Sequence, residues 1–446
     1  MNKQIQEKTV AFYTLGCKVN QYETNAMTQK MIQAGYKIID FEEKADVYVV
    51  NTCTVTNMSD RKSRQIIRRA KERNKNAILV VTGCYVQVAK EEVSKIKEID
   101  IMLGNQEKKD IVAHIETYQK QRQESISDIL QEKTFAEFGN ITYTDKTRAV
   151  IKVQDGCDRF CSYCMIPYAR GRIRSRNEKE VITEISEIAK KGIKEVVITG
   201  IHLASYGRDS HTSLIDLLRQ INAIEGIKRI RLGSLEPTLM QKEFIEELVK
   251  LEKICDHFHL SLQSGCNETL QRMNRKYTKE EFEEGIKLIR KNFPHASLTT
   301  DIIVGFPGET KEEFQTTYEF LKKVKFYKMH VFKYSPRKGT KAATMPNQIE
   351  GKIKEQRSKK LIELSKQNQE EQNKAYMGKE VEVLLEEQEG EYIKGHTSNY
   401  IMVYVKSSDK ALENTIQKVR IAQIKGETLV GKTACPSFEQ NRKCTV

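Results

Sequence analysis

The stretch Cys157-Asp158-Arg159-Phe160-Cys161-Ser162-Tyr163-Cys164 follows directly on the apolar segment 148–154, which is typical of a β-strand. Three cysteines spaced by three and then two residues can bind three irons of a cubane Fe–S cluster and leave the fourth iron open. A structural zinc site would need a fourth protein ligand nearby, and the surrounding sequence offers none. The loop therefore predicts an open Fe–S site at the end of a strand.

The sequence after this loop alternates between strands and helices. Further strands are predicted to begin near Lys194, Arg229, His257, Ser297 and Tyr327. Together with the strand before the cysteines they make six βα units, which predicts an incomplete relative of the closed eight-unit barrel. The active site of such barrels lies at the C-terminal ends of the strands, where the cysteine loop is expected.

The sequence before the loop contains a second, dispersed set of cysteines. Three βα units predict a parallel α/β sheet there, and one cysteine follows each strand. Because the carboxyl ends of parallel strands meet at one edge, the three thiols are expected to converge into an Fe–S or zinc site; three unrelated buried cysteines are the alternative. Asn20 and Glu23 predict a capping box for the first helix. The three predicted strands, each with the cysteine that follows it, are residues 9–15 with Cys17, 46–50 with Cys53, and 77–81 with Cys84.

The composition excludes several classes of protein. The 446 residues are 39% hydrophobic, which argues against intrinsic disorder, and no apolar run reaches the roughly 20 residues of a membrane span. No signal peptide is visible, so a cytoplasmic location is expected. In that reducing compartment ten cysteines favour metal binding or catalysis, with buried structural thiols as the alternative. Cys255 and Cys266 are expected to be structural, and Cys435 and Cys444 show no ligand spacing.

The positive charge is concentrated in the middle of the chain. Of the net charge of +14, residues 146–376 carry +12. Four arginines fall within seven residues: Arg170, Arg172, Arg174 and Arg176. Such a run can neutralise phosphates and stack on bases, so an RNA-binding surface is predicted, with a solvated loop as the alternative.

The cysteine loop resembles that of the radical S-adenosylmethionine (SAM) superfamily, in which SAM chelates the open iron. A second three-cysteine domain ahead of such a core is similar to the methylthiotransferase family, and the resemblance covers nearly the whole chain. It implies an auxiliary-cluster domain at 8–120, a radical-SAM core at 143–373 and a C-terminal RNA-binding domain at 376–440. The motifs that carry it lie at residues 14–24, 51–56, 82–85, 166–172, 259–265, 301–310 and 334–337.

Within that family the chain is most similar to the branch that acts on N6-threonylcarbamoyladenosine at position 37 of tRNA, through residues 16–20, 170–176 and 200–207. The resemblance implies an enzyme that adds a methylthio group to C2 of that adenine, with the tRNA anticodon loop as partner. Sister branches that act on isopentenyladenosine or on a ribosomal protein are alternatives. A non-catalytic, metal-stabilised RNA-binding protein is an alternative of another class.

The resemblance also implies cofactors. A 4Fe–4S cluster on Cys157, Cys161 and Cys164 would cleave SAM, and a second on the dispersed triad would deliver sulfur. Two SAM molecules per turnover, an external low-potential electron donor and a sulfur source are implied. The superfamily's Gly-Gly-Glu motif is replaced here by Thr199-Gly200-Ile201-His202. Candidate SAM contacts are Tyr163, Ser234, Glu236, Gln263, Ser264 and Arg275.

The C-terminal part changes its period after a polar helical linker at 353–374. Strand-like alternation predicts a small antiparallel barrel. It resembles the TRAM RNA-binding module, and Tyr392, Tyr400 and Tyr404 are candidates for base stacking, with a stabilising appendage as the alternative. The strands are predicted at 380–385, 392–396, 401–406 and 419–422.

Overall fold

The computed structural model describes residues 7–144 and 146–433, so Cys435 and Cys444 lie outside the described residues. The first part of the chain is a parallel α/β sheet, as the sequence predicts, and its six strands have the order β2-β1-β3-β4-β5-β6. Its strands are β1 (Thr9–Thr14), β2 (Lys37–Ile38), β3 (Val47–Thr52), β4 (Ile78–Gly83), β5 (Ile101–Leu103) and β6 (Gln123–Ser125). Its helices are α1 (Lys18–Gln33), α2 (Asn57–Arg73), α3 (Cys84–Val88), α4 (Lys90–Val93) and α5 (Ile111–Glu116).

Strand β3 shows how this sheet is buried on both faces. Val47 and Val49 pack with α1 and α5 on one side, and Tyr48 and Val50 pack with α2 on the other. Such a continuous apolar run is typical of a parallel strand covered on both faces. The sheet extends past residue 120, because β6 pairs with β5 in parallel.

The second part of the chain is the predicted partial barrel. Its two hydrogen-bonded sheets, β10-β9-β7-β8 and β11-β12-β13-β14, are joined by a parallel bridge between Ile230 and Ile254. Its strands are β7 (Arg148–Asp155), β8 (Arg174–Ser175), β9 (Glu195–Gly200), β10 (Arg229–Leu232), β11 (Ser234–Leu235), β12 (His257–Gln263), β13 (Ser297–Val304) and β14 (Lys328–Lys333). Its helices are α6 (Ile166–Arg170), α7 (Glu178–Lys190), α8 (Leu214–Ala223), α9 (Lys242–Leu248), α10 (Asn267–Arg272), α11 (Lys279–Asn292), α12 (Lys311–Val324) and α13 (Gly351–Lys374).

The helices of this barrel pack around one hydrophobic core. Capping boxes begin α11 at Thr278 and α12 at Thr310, each completed by a glutamate three residues on. Helix α13, which the sequence predicts to be a linker, instead buries Leu361 and Leu364 in the same core. It is therefore part of the barrel's outer layer.

The C-terminal part is a closed barrel in the order β15-β16-β17-β19-β18. Four of its strand pairs are antiparallel, but β17 and β19 pair in parallel, which differs from the fully antiparallel barrel expected. Among residues 7–144 and 146–433, no helix combines the length and the apolar character that crossing a membrane requires. The barrel strands are β15 (Glu380–Glu389), β16 (Tyr392–Thr397), β17 (Met402–Lys406), β18 (Thr415–Lys425) and β19 (Thr428–Thr433).

Candidate metal centres between the sheet and the barrel

Cys17, Cys53 and Cys84 converge at one edge of the first sheet. Cys17 precedes α1, Cys53 follows β3, and Cys84 begins α3 directly after β4. Their strands are neighbours, and the three thiols act electrostatically on one another. Gly16 permits this approach, because its φ is +105° and a Cβ there would lie 2.9 Å from the Cβ of Cys53. We call these three cysteines the dispersed triad.

Cys157, Cys161 and Cys164 lie in the loop between β7 and α6, and we call them the loop triad. Backbone groups of the loop face their sulfur atoms. The N–H of Arg159 donates to Cys157 Sγ at 3.5 Å, and the N–H of Ile166 donates to Cys164 Sγ at 3.4 Å. Donors directed at sulfur stabilise the thiolate form that binds metal.

Three thiols are a donor set that suits zinc and Fe–S clusters alike, so each triad has the chemistry of a metal centre. Burial raises the pKa of Cys53 and Cys157 to about 11 and that of Cys164 to about 12. Binding a cluster must therefore displace protons from these thiols.

Each triad also has one arginine whose guanidinium donates to a cysteine sulfur. Arg170 Nε lies 3.3 Å from Cys84 Sγ, and Arg275 Nη1 lies 3.2 Å from Cys161 Sγ. Arg170 follows the loop triad in sequence but contacts the dispersed triad. It therefore joins the barrel to the first sheet at the dispersed triad.

A buried group of charges surrounds Arg170. Glu23 of α1 forms ion pairs with Arg170, with Lys108 and, at 2.8 Å, with Lys152 of β7. Lys152 also pairs with Asp155 at 2.5 Å. Although burial opposes ionisation, these cations hold the pKa of Glu23 well below its usual range. The network fastens the first sheet to the barrel through fully buried charges.

The predicted capping box at the start of α1 is wrong. The helix begins at Lys18 with Cys17 as its N-cap residue, and no side chain caps it. Asn20 instead donates to the carbonyl oxygen of Leu15 at 2.6 Å and accepts a hydrogen bond from Arg170, and Glu23 lies in the buried network. Both side chains therefore serve the junction rather than the end of the helix.

Three of the four arginines predicted to face RNA are buried. The side chains of Arg170, Arg174 and Arg176 are at most 2% exposed, because buried carboxylates neutralise them between the sheet and the barrel. Arg172 differs, since its side chain is 55% exposed and lies 3.3 Å from Asp158. The carboxylate partners of the three buried arginines are Glu23, Asp155, Glu137 and Glu184.

Two of the predicted SAM contacts lie together beside Cys161. Arg275 Nη2 lies 2.8 Å from Glu236, which also contacts Arg159 at 3.2 Å and His202 at 2.7 Å. Burial raises the pKa of Glu236, but the hydrogen bond with His202 and the charge of Arg275 lower it overall to about 2. Sequence reasoning missed Arg159, although its position between two ligand cysteines was a usable signal. A cavity of about 180 Å³ adjoins these groups.

The other predicted SAM contacts are less closely grouped. Tyr163 packs edge-on against Phe306, with ring centroids 6.2 Å apart, and Gln263 ends β12 in a left-handed conformation with φ of +69°. Ser264 is buried, and its hydroxyl lies 3.2 Å from that of Thr317 on α12. Ser234 is exposed at the start of β11. Tyr163 also acts electrostatically on Arg275 and on the cysteines of the loop triad.

The C-terminal barrel is docked on the strand ends of the partial barrel. Arg229 donates to the carbonyl oxygen of His396 at 2.9 Å, and Arg231 donates to that of Ser398 at 2.9 Å. Tyr400 is stacked between His257 and His396, with ring centroids 4.8 and 4.5 Å away. Tyr400 is therefore a docking residue rather than the stacking platform expected. Tyr392 and Tyr404 form an edge-on pair elsewhere, 6.1 Å apart.

The two α/β units correspond to two family models. Residues 151–321 match the Radical SAM superfamily, and residues 9–104 match Uncharacterized protein family UPF0004. The radical-SAM methyltransferase TsrM from Kitasatospora setae has a similar fold, with a TM-score of 0.55 and 16% identity over 73% of each chain. The fold and the loop triad thus define a radical-SAM protein.

Relatives that match nearly the whole chain show to which family of radical-SAM proteins it belongs. Threonylcarbamoyladenosine tRNA methylthiotransferase MtaB of Bacillus subtilis strain 168 is 44% identical, covering 93% of each chain. The MtaB of Aquifex aeolicus strain VF5 is 45% identical, covering 88% of this chain and 95% of that protein. A tRNA-2-methylthio-N(6)-dimethylallyladenosine synthase of Moorella thermoacetica is 34% identical, covering 95% of this chain and 99% of that protein. The chain belongs to the radical-SAM methylthiotransferase family.

Proposed function

We propose that this protein is a tRNA-modifying enzyme that adds a methylthio group to C2 of N6-threonylcarbamoyladenosine at position 37. The observation that carries this proposal is the 44% identity with the Bacillus subtilis relative along nearly the whole of both chains. The dimethylallyladenosine synthases of the same family share 34–36% identity with it, which favours the threonylcarbamoyl substrate. A sister specificity and a ribosomal-protein substrate are the competing functions.

The chemistry supports two separate metal centres. The C2–H bond of adenine is not acidic, so no general base near pH 7 could remove that proton. When bound, a 4Fe–4S cluster on the loop triad would supply the electron that cleaves one SAM molecule. A second 4Fe–4S cluster, on the dispersed triad, would supply the sulfur that a second SAM molecule methylates. Arg275 and Arg170 would each direct a positive charge at one of them.

The remaining parts of the proposal concern partners. The anticodon loop is suitable because its bases are already unpaired and can be turned into a site at low cost. Arg172, Tyr392 and Tyr404 are the candidate RNA contacts that stay accessible. The thiol ligands and the tRNA substrate favour the reducing cytoplasm, and turnover would need an external low-potential electron donor and a sulfur source. The three units proposed from the sequence, 8–120, 143–373 and 376–440, would carry sulfur delivery, SAM cleavage and RNA binding.

Nucleoside analysis of tRNA from a deletion strain tests this function. We expect the methylthio derivative of threonylcarbamoyladenosine to disappear and to return when the gene is restored. Loss of the methylthio derivative of isopentenyladenosine would instead establish the sister specificity. If the deletion strain keeps both methylthio nucleosides but leaves the ribosomal-protein aspartate unmodified, the substrate is the ribosomal protein. Stable zinc with no SAM cleavage after anaerobic reconstitution would leave only an RNA-binding role.

A further inference from the structure

Two histidines and an aspartate stand side by side on three strands of the partial barrel. His259, Asp301 and His330 lie on β12, β13 and β14, which are neighbours in one parallel sheet. A sequence neighbour of each packs in the core under the helices: Leu260, Ile302 and Met329. Because successive side chains of a strand point to opposite faces, the three polar side chains face the interior of the barrel.

The donor atoms of these side chains are close enough to share one ion. His259 Nε2 lies 3.2 Å from Asp301 Oδ2, and one donor atom of each of the three residues lies within 4.8 Å of the others. Ligands that hold zinc tetrahedrally at about 2.0–2.1 Å are themselves roughly 3.3 Å apart. The first two donors therefore already have the spacing of metal ligands, and a small movement of the exposed His330 completes the set.

Thr299 fixes the orientation of the His259 ring. Its Oγ1 lies 2.9 Å from His259 Nδ1, so the other ring nitrogen, Nε2, is the one directed at Asp301. The same hydroxyl lies 3.1 Å from His257 Nε2, so it can accept a hydrogen bond from one ring and donate to the other. Histidines that bind metals are commonly oriented by such a bond at the second nitrogen. His259 therefore has the surroundings of a metal ligand.

The carboxylate of Asp301 supplies the strongest charge that acts on His330. It raises the pKa of His330 more than the ammonium of Lys328 or that of Lys18 lowers it. Lys328 is also paired with Glu427 at 3.6 Å, which weakens its repulsion of a bound cation. Within the part of the chain that the structure describes, the Asp301 carboxylate is paired with no lysine or arginine. A half-buried carboxylate without a cationic partner favours the binding of a cation.

We propose that His259, Asp301 and His330 bind one divalent transition-metal ion inside the partial barrel. Two imidazole nitrogens and one carboxylate oxygen are a donor set for zinc or ferrous iron, and three protein ligands leave coordination positions open. These positions face the interior, where water or an oxygen or nitrogen atom of a molecule held in the barrel completes the coordination. The site shares no residue with either triad, and it does not depend on which nucleoside the enzyme modifies.

Zinc binding to the anaerobically reconstituted enzyme tests the proposal. The enzyme is first freed of loosely bound metal by a chelator, and its iron content is measured before and after Zn²⁺ is added. We expect about one zinc per chain to be retained with the iron unchanged, and X-ray absorption should show nitrogen and oxygen ligands at about 2.0–2.1 Å. Sulfur ligands at about 2.3 Å would place the zinc on a cysteine triad and overturn the proposal. Failure of the enzyme to retain zinc would also overturn it.

Substitutions then locate the zinc. Asp301→Asn and His330→Gln should each abolish stoichiometric binding, because each removes a ligand. Thr299→Val removes only the hydroxyl beside His259 and should weaken zinc binding about tenfold to a hundredfold. His211→Gln is the matched control, since His211 is exposed in the loop before α8, and it should bind zinc as the wild type does.

The iron content and the circular dichroism spectrum of each variant show whether it is folded. His330 is exposed, so its replacement should leave both unchanged. Zinc binding that His330→Gln and Asp301→Asn leave at the wild-type affinity would contradict the proposed site, whatever the outcome for the methylthio nucleosides. Equal losses in His211→Gln and His330→Gln would contradict it as well.

Discussion

The two cysteine triads reach similar chemistry from opposite kinds of sequence. The loop triad is contained within eight consecutive residues after one strand, so its geometry is set by a single loop. The dispersed triad takes one residue from beyond the end of each of three strands, so its geometry exists only once the parallel sheet has formed. The loop triad can therefore be predicted from the spacing of its cysteines alone, whereas the dispersed triad can be predicted only from the topology of the sheet.

The arginines beside the triads differ in the same way. Arg275 lies on the wall of a cavity and contacts Glu236 and Tyr277, all within the barrel. Arg170 is fully buried and reaches across to Glu23 and Cys84 of the first sheet. We infer that Arg275 serves its centre alone, while Arg170 also holds the two α/β units together.

The largest expected effect separates the tasks of the triads. Cys161→Ala should abolish SAM cleavage, because the loop triad would no longer hold its cluster. Cys53→Ala should retain SAM cleavage and lose methylthio product, because only sulfur delivery depends on the dispersed triad. Each variant should hold about four irons per chain in place of about eight. Anaerobic iron analysis, 5′-deoxyadenosine release and product analysis check these outcomes.

A Cys53→Ala enzyme that still transfers sulfur would refute this division. So would a Cys161→Ala enzyme that still cleaves SAM. Cys255→Ala is a suitable control, because that thiol is buried near Arg229 and Arg231, outside both triads. We expect its iron content and SAM cleavage to match those of the wild type.

The next effect concerns the junction that Arg170 makes. Arg170→Ala should lower the free energy of unfolding by about 3–5 kcal/mol, because it leaves the carboxylate of Glu23 buried with less compensation. Arg172→Ala, two residues away on the surface, should change it by about 0.5 kcal/mol or less. Urea unfolding monitored by circular dichroism measures both. Equal effects would show that the buried network does not stabilise the junction.

The buried charges around Glu23 and Arg170 could not be predicted from the sequence. The parallel sheet, the partial barrel and the loop triad were predictable, because periodicity and spacing are local signals. The partners of Glu23, by contrast, lie 85, 129 and 147 residues away at Lys108, Lys152 and Arg170. Glu23 therefore looked like half of a capping box, and Arg170 like part of an RNA surface. A lysine within the apolar strand β7 was the one local sign of a buried ion pair.

A smaller effect is expected from Arg275, the arginine that contacts the loop triad. Arg275→Gln should make the midpoint potential of the loop-triad cluster more negative by on the order of 60 mV, because it removes one charged hydrogen bond to a ligand sulfur. A Cys53→Ala background leaves one cluster to be titrated by electron paramagnetic resonance. Arg272→Gln is the matched control, since Arg272 pairs with Glu313 on α12. A shift of the same size in the control would show that the sulfur contact of Arg275 is not its cause.

The smallest effect concerns the one arginine of the run that remains outside. Arg172 is exposed beside the loop triad and lies over the ring of Phe160 at 4.9 Å, so it can reach a phosphate of an incoming RNA loop. Arg172→Ala should weaken tRNA binding severalfold and reduce the slope of log affinity against log salt by about one. Filter binding at several salt concentrations measures both, and Arg219→Ala is the control because the side chain of Arg219 is also exposed. An unchanged slope would show that Arg172 contacts no phosphate and would remove the whole arginine run from RNA binding.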